Sequence, residues 1–109
     1  MKLKGLRGRK VVDRVRRRGD RWRGKHMSIT YVVSNNEGLL VGTSASKKLH
    51  KSAVKRNKMR RRCREALRVT TKESTKNLNV QLLITPRSSS LTCDFNELRS
   101  DAEAFLNHL

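Results

Sequence analysis

Acidic residues, aromatic rings and cysteines are all scarce in this sequence, and each scarcity removes a class of explanation. Only 9 Asp and Glu stand against 27 Lys and Arg, which leaves a formal net charge of +18 and a sequence pI near 11.4. Binding a neutral metabolite does not call for such a balance; a polyanionic partner does. The two cysteines, Cys63 and Cys93, make no disulfide framework and no metal-ligand pattern. Both read as reduced, structural thiols, because free cysteine behaves as a small buried hydrophobe. No apolar run approaches a transmembrane span, and Met1-Lys2-Leu3-Lys4 lacks a secretory apolar segment, so a soluble cytoplasmic protein without membrane partners is expected. A membrane-surface helix would need aromatic or aliphatic side chains opposite its cations, and Trp22 alone is thin support for one. Repeats and low-complexity tails are lacking as well. The 109 residues, 35% of them hydrophobic, suit one domain with a modest core.

The inventory for protein-borne catalysis is equally short. His26, His50 and His108 are scattered, and no two have metal-ligand spacing. Gly5-Leu6-Arg7-Gly8 lacks the strand before it and the Lys-Ser/Thr ending after it that would make a phosphate-binding loop. Asp13 with Asp20, or Glu65 with Glu73, can be imagined as the carboxylate pair of a metal nuclease. All four lie among arginines, where a salt-bridging acid is the plainer explanation.

What the sequence does have is cationic charge, unevenly placed. Residues 1–68 hold 23 of the 27 Lys and Arg and carry a net charge of +19, whereas residues 69–109 carry −1. The polyanion is expected at elements built from the first part, with the second part closing the fold. Residues 1–8 read as a flexible or extended basic arm and residues 9–109 as a single α+β domain that binds the polyanion.

The periodicities predict a short helix over Arg9–Arg18, with Val11, Val12 and Val15 on one side and Gly19 ending it. Asp20–Lys25 reads as an edge strand or a basic loop carrying Trp22. A β-branched strand follows over Met27–Ser34, then a turn at Asn35-Asn36-Glu37-Gly38, then a return strand over Leu39–Thr43 that completes a hairpin. Gly42 in that strand allows close backbone approach. Ser52 is the expected N-cap of a long basic helix running to about Thr70. Thr71–Asn79 reads as a loop, and Val80–Thr85 as a buried strand stopped by Pro86, the one proline. Thr92 or Asp94 opens a last helix with Phe95, Leu98, Ala102, Phe105, Leu106 and Leu109 on one face, and Asp94 and Glu97 favour its dipole. Strands interrupted by a helix suggest one central sheet with helices packed against it.

The stretch Lys55–Glu65 packs seven cations into eleven residues and still has helical phase. Met59, Cys63, Ala66, Leu67 and Thr70 form an apolar stripe. At about 100° per residue, Asn57, Arg60, Arg61, Arg64 and Arg68 cluster away from it, and Lys55, Arg56 and Arg62 flank it. A solvated helix face normally interleaves Glu with Lys four residues apart to relieve repulsion, and here only Glu65 does so. Guanidinium forks fit phosphate oxygens and stack on bases, and Asn57 can read a base edge or a 2′-hydroxyl.

With Ser46-Lys47-Lys48 leading in, Ala53 following, and then Arg56-Asn57-Lys58-Met59-Arg60-Arg61 with Arg64, the region resembles the signature of the bacterial ribonuclease P protein subunit family, and the likeness extends over nearly the whole chain. The resemblance implies an α+β fold of order αβββαβα with a left-handed crossover around the signature helix, a hand that general rules disfavour. It implies a catalyst made of RNA, with magnesium held mainly by that RNA, and a protein that binds the catalytic RNA and the 5′ leader of precursor tRNA for leader removal. Carried over, Lys47, Lys48, Arg56, Asn57, Lys58, Arg60, Arg61 and Arg64 become catalytic-RNA contacts. The leader is expected in a cleft between the first helix and the sheet, with Val12, Arg16, Trp22 and Tyr31 as candidate contacts. Val12 stands where the family usually has Phe and Arg16 where a second aromatic is common, so base stacking is weakened and phosphate contact or guanidinium stacking takes its place. Arg62, where an apolar residue is usual, is expected to lie along the edge of the stripe. The rivals are a ribosomal or other structural RNA-binding protein, a nucleic-acid compaction protein and a metal-dependent nuclease. Whether the protein forms a dimer without RNA is left open by the sequence.

Overall fold

Val80–Ile84 is the segment that must be covered on both sides: Val80, Leu82 and Ile84 alternate with Gln81 and Leu83, and all five are buried. In the computed structural model, which describes residues 3–34, 38–74 and 78–109, this run lies in the middle strand of a five-stranded sheet. The elements in chain order are β1 (Leu3–Gly5), α1 (Arg9–Arg18), β2 (Asp20–Arg23), β3 (Met27–Val33), β4 (Gly38–Thr43), α2 (Ala53–Glu73), β5 (Asn79–Pro86), a 3-10 turn (Ser88–Leu91) and α3 (Phe95–His108). The expected order αβββαβα is present, preceded by β1. Leu3–Gly5, within the segment expected as a flexible or extended basic arm, are extended and form an edge strand.

The sheet order β1-β4-β5-β3-β2 corrects one expectation. β3 and β4 do not pair as a hairpin; β5 inserts between them, antiparallel to β3 and parallel to β4. A local hairpin would have left the two-sided apolar β5 on an edge, whereas the central place removes both of its edges and both of its faces from water. A parallel β4–β5 pair needs a long crossover, and α2 supplies it. The turn expected at Asn35–Gly38 lies largely outside the described residues.

Register sorts the side chains onto two faces. Leu39, Val41, Leu82, Ile84, Met27 and Ile29 face α2 and α3, and join Cys63, Ala66, Leu67, Leu98, Ala102, Phe105 and Leu106 in the main core. On the other face Leu83 meets Val15 of α1 and Leu6, with Val11, Val12, Val32 and Leu40 packed around them. A Cβ on Gly42 would stand 2.8 Å from the Leu83 side chain, the close approach expected of that glycine. Gly19 ends α1 with φ −72°, so a left-handed turn is not what requires it. Space is: a Cβ there would meet the side chain of Thr30 at 2.8 Å.

α2 continues three residues beyond the expected Thr70, because the Thr70 and Thr71 hydroxyls donate to the carbonyls of Ala66 and Arg68 and both residues are buried. Asp94 caps α3 by accepting from the Asn96 amide. Asp101, in the middle of α3, accepts from the backbone amides of Lys25 (3.1 Å) and His26 (2.7 Å), which ties the β2–β3 turn to the helix.

Candidate nucleic-acid interface

Ser52 accepts a hydrogen bond from the Lys55 amide and so fixes where α2 begins and which side chains its first turns present. Arg56, Arg60 and Arg64, spaced four apart, form one row beside the segment leading from β4 into the helix. Arg56 Nη1 donates to the carbonyls of His50 (2.8 Å) and Lys51 (3.0 Å), Arg60 Nη2 to that of Ala45 (2.9 Å), and Arg64 Nη1 to that of Val41 (3.3 Å). The phase expected Arg60 and Arg64 on an open cationic face and Arg56 flanking the apolar stripe; the structure places the whole row half-buried against the protein's own backbone.

One step round the helix the side chains are open. The side chains of Lys55, Lys58 and Arg61 are exposed and have no hydrogen-bond or ion-pair partner among the described residues. Arg61 borders two shallow depressions, one shared with Val54, Asn57 and Arg60, the other a groove of about 530 Å³ shared with Lys58, Arg64, Arg68 and Phe95. Lys47 and Lys48 sit exposed on a tight turn closed by the Leu49 amide on the Ser46 carbonyl at 3.0 Å. The eight residues expected to contact catalytic RNA therefore come together at the N-terminal half of α2 and the turn before it. Glu65, the one acid of this surface, is paired with Arg68, and that hydrogen bond holds its carboxyl below the usual range.

Arg62 reaches the carbonyls of Ser90 and Cys93 and pins the 3-10 turn ahead of α3. Its role is to join α2 to the segment before α3, which periodicity alone could not show. The partner carbonyls lie about thirty residues away.

The expected leader contacts do not form one cleft. Val12 packs against the small core beneath α1, and Arg16 Nη2 reaches Ser44 Oγ, just past the end of β4, at 3.4 Å. Trp22 and Tyr31 are on the opposite face of the sheet. Their rings pack edge-on against Phe105 of α3, with centroids 5.6 and 5.4 Å from it. This corrects their placement: Trp22 pairs in register with Ile29, and Tyr31 is two residues beyond it, so strand alternation directs all three toward α3. Ser44, which the sequence did not single out, is the residue that Arg16 approaches.

The groups suited to protein-borne catalysis are dispersed or engaged. Among the described residues no three His, Cys, Asp or Glu side chains are gathered as a metal site. Glu73 is bound to Arg99, while Asp13 and Asp20 make no ion pair among the described residues, contrary to the salt-bridging role expected for them. The His26 ring is buried between Ser89 Oγ (2.8 Å) and Glu97 Oε1 (3.3 Å). Cys63 and Cys93 are both free, and burial pushes the Cys63 thiol up to about 12.

Comparison with known proteins places these features in context. A family model described as Ribonuclease P matches residues 1–109. Solved structures with the same fold include the RNase P protein from Thermotoga maritima, with a TM-score of 0.79 and 19% identity over 97% of each chain. The Staphylococcus aureus RNase P protein gives a TM-score of 0.74 and 20% identity, covering 94% of this chain and 92% of that one. Comparison with curated protein sequences gives no match.

Proposed function

From the premise that this chain belongs to the ribonuclease P family, as the protein component of that ribonucleoprotein endoribonuclease, we propose which surfaces meet which RNA. The N-terminal half of α2, with the Lys47-Lys48 turn, binds the catalytic RNA. The surface between α1 and the end of β4, with Val12, Arg16 and Ser44, takes the 5′ leader of precursor tRNA. Trp22 and Tyr31 are left out of the leader cleft because their rings serve the core.

The observation that carries this reading is the exposed, unpartnered group Lys47, Lys48, Lys55, Lys58 and Arg61 on one side of the molecule. Cations left without acidic neighbours on a folded scaffold are stabilised by phosphate, and each contact releases condensed counterions. Arg16 comes from the helix on the other face of the sheet but reaches Ser44, next to the Ala45 carbonyl that Arg60 holds, so cations of both helices can neutralise the mutual repulsion of two neighbouring RNAs. Cleavage itself belongs to the RNA subunit. Magnesium prefers several oxygen ligands at once, and the described residues offer no such set, since Glu65 and Glu73 are engaged by arginines. In this proposal the magnesium ions of the reaction are held mainly by the RNA. No described helix is long and apolar enough to cross a membrane, and action in the cytoplasm, where precursor tRNA is found, is part of the same proposal.

Reconstitution tests it. The purified protein alone is expected to leave precursor tRNA intact, and addition of a ribonuclease P catalytic RNA at low magnesium to give cleavage at the mature 5′ end. Cleavage by the protein alone would replace this proposal with a protein nuclease. Failure of the mixture to cleave, with RNA binding retained, would favour a ribosomal or other structural RNA-binding protein.

A further inference from the structure

Arg60 and Arg61 are adjacent in the signature, yet their surroundings are opposite. Arg60 Nη1 donates to Asn57 Oδ1 at 3.1 Å, Nη2 donates to the Ala45 carbonyl at 2.9 Å, and Nε is buried without a partner. Arg61 is exposed and has no partner among the described residues. Each terminal nitrogen of Arg60 already gives one N–H to a protein acceptor and Nε is buried, so three of its five donors are engaged or shielded and the fork is held in the plane those acceptors set.

Those two acceptors matter. Ala45 immediately precedes Ser46-Lys47-Lys48, so the bond to its carbonyl anchors the root of the turn that carries both lysines. Arginine has no acceptor, so Asn57 must offer Arg60 its amide oxygen. Its NH₂ group is then left as the outward end of the side chain, able to donate to a phosphate, a 2′-oxygen or a base acceptor.

We propose that Arg60 is a positioning residue of the RNA interface: it fixes the Lys47-Lys48 turn and orients Asn57 as a donor, while Arg61 and the lysines meet the phosphates. The inference rests on α2 being the surface for catalytic RNA. Lysine at position 60 separates charge from geometry, because one ammonium keeps the charge but cannot reproduce the planar fork that spans Asn57 and Ala45.

The test is the salt dependence of binding of an in vitro transcribed ribonuclease P catalytic RNA to five proteins: wild type, Arg61→Ala, Arg61→Lys, Arg60→Ala and Arg60→Lys. Arg61→Ala is expected to lower the slope of log affinity against log salt by about one, and Arg61→Lys to restore it. Arg60→Lys is expected to weaken binding roughly tenfold, the loss that goes with one charge-assisted hydrogen bond, at an unchanged slope. Amide hydrogen exchange over Ser46–Leu49 should quicken in Arg60→Lys and stay at the wild-type rate in Arg61→Ala. Adding Asn57→Ala to Arg60→Lys should bring little further loss, since the amide is already released. Wild-type affinity in Arg60→Lys, a slope lowered by Arg60→Ala as by Arg61→Ala, or unmoved exchange at Ser46–Leu49 would each overturn the role of Arg60. If the wild type itself binds the RNA without salt dependence, the assignment of α2 falls and Arg60's role with it. Should Arg60→Ala fail to fold, Arg60→Lys decides alone.

Discussion

The two faces of the sheet divide the labour of the molecule unequally. The face toward α2 and α3 holds fourteen buried residues of the main core, while the face toward α1 holds three, Leu6, Val15 and Leu83. Both faces carry strongly basic helices, so charge does not distinguish them. Burial does: α1 is a lightly anchored helix over a sheet face left partly open, and α2 is a deeply anchored one whose cations stand on a rigid base. A surface that must hold a structured RNA benefits from the second arrangement, because little conformational entropy remains to be lost on binding. A cleft that accepts a single-stranded segment tolerates the first.

The sharpest way to break this comparison uses neighbours on β5. Leu82 and Leu83 are consecutive and point to opposite faces. Leu82→Ala, in the larger core, should cost about 4 kcal/mol, near the upper part of the range for such truncations, and Leu83→Ala about 2 kcal/mol, near its lower end. Denaturant titration measures both. Equal losses would mean that the α1 face is as firmly packed as the other.

Next in size are the charges. Lys58→Ala with Arg61→Ala should reduce the salt slope for catalytic RNA by about two, and Arg21→Ala with Arg23→Ala, on β2 and facing the α1 side, should leave it unchanged. Neither pair should alter the unfolding midpoint by much, since all four side chains are exposed. A slope that responds to Arg21 and Arg23 would place the catalytic RNA on both faces.

Smaller effects are expected in the cleft proposed for the leader. Val12→Phe adds a ring beside Arg16 and Ser44, and stacking on single-stranded bases is worth about 1 to 3 kcal/mol per base. It should tighten a leader-bearing precursor relative to mature tRNA. Trp22→Leu should leave that ratio alone and lower stability, because the indole packs on Phe105. Equal tightening of both tRNAs by Val12→Phe would remove the leader from this face.

These contrasts also show what could be read in the sequence. Helix phase identified the stripe Met59, Cys63, Ala66, Leu67 and Thr70, and all five are buried. The apolar face of α3 was legible for the same reason, as was the cap at Ser52. Local pattern gave β3, β4 and β5 but not their neighbours, left β2 as a strand or a loop, and read β1 as part of a basic arm. The segment from Met27 to Thr43 looks like a hairpin when only adjacent elements are weighed, and the competitor, β5, begins some forty residues after β4 begins. The same blindness misplaced Trp22 and Tyr31, since an aromatic side chain in a strand is legible as such but its face is set by register with a distant partner. Within α2, periodicity separated core from cation. Separating the arginines that grip the backbone of residues 41–51 from those that face solvent required knowing where that backbone runs. The signature residues were therefore found as a group while their individual duties were not.

The smallest expected effect concerns acid. Glu97 is held below the usual carboxylate range by hydrogen bonds from Lys25 and then His26. A carboxyl with a depressed value in the folded state contributes stability that is present above its ordinary value of 4.5 and is lost as pH falls through the folded one. Wild-type protein should thus lose a little more thermal stability below about pH 4.5 than Glu97→Gln does, with the two running parallel from pH 6 to 8. The Glu97 side chain is 42% exposed and its pairs are screened by solvent, so the difference is small. It is informative because the group ties the β2–β3 turn to α3, on the face that carries the core. Identical acid profiles would show that the turn is held by Asp101 and packing alone, and would move the anchor of that face from its rim to its interior.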